Sequence, residues 1–158
     1  MSSLSPTAGS PLDLFVVAAV LHRPSFVSLE SALSAHGWIP ESVPIITSCC
    51  FRRRLAFDTP VARFEYQPTP FRNLVGVERV ERAGAGACLL ASPLRALCDL
   101  AHERRSVRMN RDYLIGSLRI DTDRLALLRR NDFVALQEEL KEGRALRFLM
   151  ALRKEVER

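Results

Sequence analysis

Aromatic residues are scarce in this sequence, at 7% of 158, so a core has to be built chiefly from Leu, Val and Ala. Long hydrophobic runs are missing too. The longest, Leu14 to Leu21, falls well short of the ~20 apolar residues that cross a bilayer, which excludes a membrane-spanning helix and a membrane partner. The opening MSSLSPTAGSPLD has neither a basic start nor a long apolar stretch, so it does not fit a secretory signal, and residues 1–13 read as a flexible leader. Cysteines are few: Cys49, Cys50, Cys88 and Cys98 make no C-x-x-C pair, and adjacent Cys49 and Cys50 point to opposite faces of a strand. They read as buried thiols, which fits a reducing compartment and a cytoplasmic location. No G-x-S-x-G elbow occurs, and Gly84-Ala85-Gly86 lacks the Lys-Ser/Thr of a phosphate loop. No cofactor or metal is expected.

Acidic residues are the minority charge. Against 18 of them stand 23 basic residues, giving a formal charge of +5 and a pI near 9.5. Such a field favours polyanions, because each neutralised phosphate releases condensed counterions; an arginine-rich composition can equally reflect genomic base content. With 47% hydrophobic and 26% charged residues the chain is an ordinary globular one. Its length suits a single domain, residues 14–158, which buries about 70% of its unfolded surface without metal or disulfide.

The pattern along the chain predicts an α+β fold: a small antiparallel sheet in the first half, packed helices, and a helical C-terminal tail. Leu14 to Leu21 is bounded by prolines and suits a buried strand or a short helix. A helix follows within SFVSLESALSAHGW, with Ser28 as N-cap and Gly37 as terminator. From Pro44 to Gln67 the period changes to two. IITSCCFRRRLAF and VARFEYQ flank Asp58-Thr59-Pro60 and predict an antiparallel hairpin. A second strand pair is expected from Leu74 to Arg82 and from Ala87 to Ala91. Ser92-Pro93 opens a helix whose buried stripe is Leu94, Leu97, Cys98 and Ala101. Beyond it, Leu125 and Leu128, then Phe133, Leu136 and Leu140, then Leu146, Leu149, Met150 and Val156 predict three more amphipathic pieces, with Asn131 or Asp132 capping the second and Gly143 separating the last two.

For catalysis the residues offer little. Ser28, Ser31, Ser34 and His36 lie close in sequence, but no third group is placed to orient the histidine; His36 beside Gly37 suits a cation at a helix C-terminus. Asp58 and Glu65 on neighbouring strands suggest a two-acid Mg²⁺ nuclease. Gln67, however, stands where a lysine is wanted, and Asp58 also serves as a turn residue. The basic clusters say more. In a strand, Arg52 and Arg54 share a face with Arg53 opposite, and Arg63 on the partner strand extends one face; such a ribbon can lie along a phosphate backbone, or it can be a solvated face paired with Asp58 and Glu65. In the last helix Arg144, Arg147, Lys154 and Arg158 fall within an arc of about 80°, opposite Leu146, Leu149 and Met150. A stripe of this kind suits nucleic acid, an acidic partner, or simple solvation.

Three segments taken together, PSFVSLESALSAHGWIPE, ITSCCFRRRLAFDTPVARFEYQPTP and ASPLRALCDLAHER, resemble the AbiEi family of type IV antitoxins, in its C-terminal antitoxin domain, over residues 14–158. The resemblance implies a non-catalytic protein that counteracts a nucleotidyltransferase-like toxin encoded beside it and takes part in transcriptional autoregulation of the pair. It implies a functional partnership with that toxin without fixing direct contact. The family's usual N-terminal winged helix is expected to be missing, since about a dozen residues cannot form a three-helix unit. The alternatives are a stand-alone nucleic-acid-binding module, with DNA as partner, and the metal-dependent nuclease.

Overall fold

The computed structural model describes residues 12–40 and 44–157; most of the leader, residues 1–11, lies outside them, as does Arg158. The apolar run is a helix, α1 (Leu14–Leu21). Asp13 decides it, its Oδ1 accepting the N–H groups of Phe15 and Val16 at 2.9 and 3.2 Å and so capping the first turn. Then follow β1 (Ser25–Val27), α2 (Leu29–Ala35), β2 (Ile45–Cys50), β3 (Leu55–Asp58), β4 (Arg63–Pro68), β5 (Val77–Arg82), β6 (Gly86–Ala91) and α3 (Pro93–Glu103). A π-helical turn (Tyr113–Ser117), α4 (Thr122–Leu125), α5 (Arg130–Gln137) and α6 (Arg144–Val156) complete the chain.

The α+β class holds, but the sheet is neither small nor purely antiparallel. Six strands stand in the order β3-β4-β2-β1-β6-β5, and the β2–β4 and β1–β6 pairs are parallel. The predicted arm IITSCCFRRRLAF is two strands, not one. β4 pairs antiparallel with β3, Asp58 facing Arg63, and parallel with β2, Ile45 facing Arg63. The physical reason lies in the arginines. β2 is central and covered on both sides, buried from Ile46 to Cys50, so continuing it through Arg52–Arg54 would place unpaired guanidinium groups in the core, at a cost of several kcal/mol each. The chain leaves the sheet instead. Residues 51–54 span two interstrand spacings, roughly 10 Å, and β3 starts on the far side of β4.

The sheet separates two apolar layers. On one side α1 sets Ala18 against Ile46, Cys50, Phe64 and Tyr66, with the Tyr66 hydroxyl donating to the Ala18 carbonyl at 2.6 Å. On the other, α2, α3, α5 and α6 close over Phe26, Val27, Cys49 and Leu90. All four cysteines are free and buried. The second strand pair stands as β5 and β6, Arg82 facing Gly86. In the tail, Leu125, Phe133, Leu136, Leu140 and Leu149 are buried as the periodicity requires. Met150 is not, being 46% exposed; the inward face of α6 is instead Ala145, Phe148, Leu149 and Leu152, a 3.6-residue repeat displaced from the predicted stripe. Asp132 sits at the third position of α5, where its carboxylate accepts the Arg129 N–H, and Gly143, at φ +105°, opens α6.

Helix α3 lies at the centre. Ser92 caps it, accepting from the Arg95 N–H, with Pro93 at its first position, and the predicted stripe is buried. So, however, are Arg95, Ala96, Asp99 and Leu100, which makes the helix interior on every face. Both charged side chains are fully covered. Asp99 accepts from the Ser28 hydroxyl on Oδ2 at 2.6 Å and from the Thr69 hydroxyl on Oδ1 at 2.8 Å. Arg95 Nε lies 3.6 Å from Asp99 Oδ1, Nη2 donates to Thr69 Oγ1 at 3.1 Å, and Nη1 donates to the carbonyls of Asn73 and Val75. The rings of Phe71 and Phe26 close on the guanidinium carbon, with centroids at 3.9 and 4.8 Å. Burial pushes the Asp99 carboxyl up and the Arg95 guanidinium down, against their mutual attraction. Ser28 thus stands at the predicted N-cap but spends its hydroxyl on Asp99 rather than on the helix. Its neighbour Leu29 holds φ at +59°, a conformation costing about 1–2 kcal/mol for a side-chain-bearing residue.

Removing one partner of this pair leaves an uncompensated buried charge. Asp99→Ala is expected to destabilise the fold by about 3–5 kcal/mol in urea denaturation, whereas the double replacement Arg95→Met, Asp99→Leu costs less than that single change. A loss under about 1 kcal/mol for Asp99→Ala would show that the pair does not hold α3 in place.

Candidate functional site

The predicted basic residues separate into three environments. Arg52, Arg53 and Arg54 occupy the link between β2 and β3, outside any strand, and all three are exposed, so the alternation of faces expected of them is corrected. The link is shaped from beneath: the buried Cys50 thiol donates to the carbonyls of Arg52 and Arg53 at 3.6 Å, and the Phe51 ring rests against Phe26. Among the described residues, none of the three arginines enters an ion pair.

Arg63 does not extend that surface. Its Nη1 donates to both Asp58 oxygens at 2.8 Å and its Nε to Glu65 at 2.9 Å; the Asp58 and Glu65 carboxylates beside it raise its pKa. The solvated-pair reading describes it. The same geometry bears on the nuclease alternative, since the two acids converge on a guanidinium that fills the space between them. Glu65→Ala would therefore leave Arg63 on Asp58 rather than empty a metal site.

The tail arginines belong to a concave feature. A groove of about 530 Å³ runs between α6 and the segment 107–114, and it is bordered by Arg108, Arg111, Arg144 and Arg147. Its floor is apolar, including Met109, Leu114, Phe148 and Leu152. On α6 the lining residues Arg144, Arg147, Phe148, Ala151, Leu152 and Glu155 recur at i, i+3, i+4, i+7, i+8 and i+11, one helical face. Arg144 is fixed by the C-terminal end of α3, donating from Nη2 to the His102 carbonyl at 2.5 Å and from Nε to the Ala101 carbonyl at 3.4 Å. Arg108, Arg111 and Arg147 are exposed and make no ion pair among the described residues. Lys154 is exposed beside this face but does not line the groove.

The far wall is held from its own side. Asn110 accepts the Tyr113 N–H on its side chain at 3.0 Å, Arg104 donates to the Tyr113 hydroxyl at 2.8 Å, and Arg104 also pairs with Glu30 of α2. The hydroxyls and the histidine weighed for catalysis are engaged elsewhere. Ser31 and Thr47 bridge α2 to β2 by reciprocal bonds of 2.8 and 3.0 Å. His36 Nε2 lies 2.9 Å from the Ala91 carbonyl.

Compared with known proteins, the chain matches no family model and no curated protein. No helix among the described residues is long and apolar enough to cross a membrane.

Sequence reasoning passed over Arg95, Asp99, Arg108 and Arg111. For the first two the signal is in PLRALCDLA, where apolar residues occupy all faces of the helix; polar residues inside such a helix have to be paired. For Arg108 and Arg111 it is weaker: two arginines three apart in a polar segment, with nothing in sequence to say that α6 lies alongside.

His102, in the last turn of α3, carries a titration. Its burial first, then the Arg144 and Arg105 charges, depress the imidazole pKa below 6.5, with Asp99 opposing. The folded state therefore favours the neutral ring. The stability that this contributes is complete above pH 6.5 and is lost as pH falls through the depressed folded value. Urea midpoints should decline over that interval, and His102→Gln should flatten the decline. An unchanged slope in the variant would remove His102 as its source.

Proposed function

We propose that this chain is a non-catalytic antitoxin domain of the AbiEi type, a bacterial cytoplasmic protein that counteracts an adjacently encoded nucleotidyltransferase-like toxin and assists autoregulation of the pair through its basic surfaces. One observation carries the reading. The three segments that resemble the family meet in the buried polar network, which takes Ser28 from the first, Thr69 from the second, and Arg95 with Asp99 from the third. Residues matching at a distance in sequence are thus the ones whose side chains depend on each other in space. The disposition of reactive groups supports the non-catalytic part: Ser28 and Ser31 are spent on internal bonds and Asp58 and Glu65 on Arg63, while Arg52, Arg53 and Arg54 are exposed. Co-expression is the test. Growth arrest by the neighbouring gene's product should be relieved when this chain is made in folded form, and arrest that persists with the folded protein present overturns the proposal.

A second reading, a module that binds duplex DNA, is favoured by one specific feature, the Arg52–Arg54 link, exposed and without an ion pair among the described residues. If these residues contact phosphates, log affinity falls with log salt by about 0.9 per contact, and replacing all three by Ala reduces that slope by roughly 3 contacts' worth. A flat slope in the parent protein, or the same slope in the variant, excludes the link as a DNA contact.

A further inference from the structure

We infer that the groove between α6 and the 107–114 segment is a binding site for a nucleoside polyphosphate. This inference goes beyond the antitoxin reading and shares with its basic surfaces only Arg144 and Arg147.

The groove has the size and composition of a ligand site. Its volume of about 530 Å³ falls inside the roughly 300–1,000 Å³ typical of small-molecule pockets. Four arginines against one glutamate line it, so its local charge is strongly positive. Three of those guanidinium groups, Arg108, Arg111 and Arg147, have no carboxylate partner among the described residues, so an arriving anion displaces no internal ion pair. The planar guanidinium fork matches two phosphate oxygens at once.

The layout along α6 is directional, and this selects among anions. Arg144 and Arg147 lie in its first turn, Phe148, Ala151 and Leu152 follow on the same face, and Glu155 closes the row. From Arg147 to Glu155 is eight residues, or roughly 12 Å at the helical rise. A suitable ligand therefore carries multiple negative charge at one end, a flat body of low polarity in the middle, and hydrogen-bond donors at the other end. Phosphates, base and the base's exocyclic amine, or the ribose hydroxyls, meet these requirements in order. A free polyphosphate would leave the Phe148 and Leu152 floor uncovered, and an acidic peptide would set its carboxylates against Glu155. A duplex is too broad for a concave site of this volume.

Part of the site, Arg144 and the opposite wall, is preorganised, which lowers the entropic cost of binding. Arg144 is tied to two carbonyls of α3, and the opposite wall is tied through Asn110 and through Arg104 to Tyr113.

Isothermal titration of the full chain with ATP and with GTP tests this, beside tripolyphosphate and adenosine as partial probes. Expected are saturable binding of a nucleotide in the micromolar range, at least tenfold weaker binding of tripolyphosphate, and none detectable for adenosine. Arg108→Ala with Arg111→Ala, and separately Arg147→Ala, should each weaken the nucleotide at least tenfold; these positions are exposed, and unchanged urea midpoints will confirm folding. Glu155→Gln should weaken the nucleotide several-fold and leave tripolyphosphate unaffected. Absence of saturable nucleotide binding at millimolar concentration overturns the inference, as does tripolyphosphate binding as tightly as the nucleotide, or indifference to the arginine changes. A short single-stranded oligonucleotide that binds tenfold tighter than ATP through the same arginines would also overturn it, making the occupant a nucleic-acid strand.

Discussion

A single buried carboxylate sets the arrangement of this molecule. Asp99 is buried, and burial pushes its carboxyl up; the Arg95 guanidinium and the Ser28 and Thr69 hydroxyls oppose that. Each partner comes from a different part of the chain. Ser28 follows the last residue of β1, Thr69 follows β4, and Arg95 reaches on to the Asn73 and Val75 carbonyls ahead of β5. A buried ion pair of this kind is a weak source of net stability compared with apolar packing of similar volume. Its contribution is geometrical: an apolar α3 could slide or rotate among Phe26, Leu33 and Leu149 at little cost, whereas charged atoms in a low-dielectric interior tolerate one placement.

The consequences extend to the surface. With α3 fixed, its terminal carbonyls at Ala101 and His102 face Arg144, and they determine where α6 begins. Glycine at position 143, at φ +105°, lets the chain enter α6 at the required angle. The groove is thus the external result of an internal constraint: one wall begins at a helix positioned by Asp99, and the other is held through Arg104 to α2. Even the strain at Leu29 fits this scheme, since that residue directly follows the serine committed to Asp99.

How far the sequence was legible follows from how local each cause is. Helix starts at Ser92-Pro93 and Gly143 depend on neighbours in sequence, and they stand where the residues indicated. The hairpin turn at Asp58-Thr59-Pro60 likewise joins β3 to β4, with Phe64 and Tyr66 inward and Arg63 beside Glu65. The parallel pairing of β2 with β4 was not legible, because alternation specifies which side chains share a face but not which strand lies alongside. The break at Arg52–Arg54 could have been inferred: two-sided burial of ITSCC is incompatible with three following charges. On α6 the arginines at 144 and 147 were visible as a stripe, but the groove they border needs a second wall supplied by the distant segment 107–114. Met150, read as inward, faces out because the packing direction of α6 is set by α3 and α5 and not by its own hydrophobicity.

The distribution of charge completes the picture. A formal excess of five positive charges spread evenly over the surface would be screened to little effect at physiological ionic strength. Here several carboxylates are spent locally: Asp13 on Arg82, Asp58 and Glu65 on Arg63, Glu30 on Arg104, Glu157 on Arg153, and Asp99 in the interior. Two of the places where guanidinium groups stand without a carboxylate among the described residues are the β2–β3 link and the groove beside α6. The two differ in kind. The link is a convex run of exposed side chains that can follow an extended phosphate backbone, while the groove combines its cations with an apolar floor and a fixed wall. A surface of the first type discriminates little beyond charge; one of the second type can reject an anion for its shape. The same basic excess therefore presents two surfaces of different kind, and the acids paired with Arg63, Arg82, Arg104 and Arg153 belong to neither.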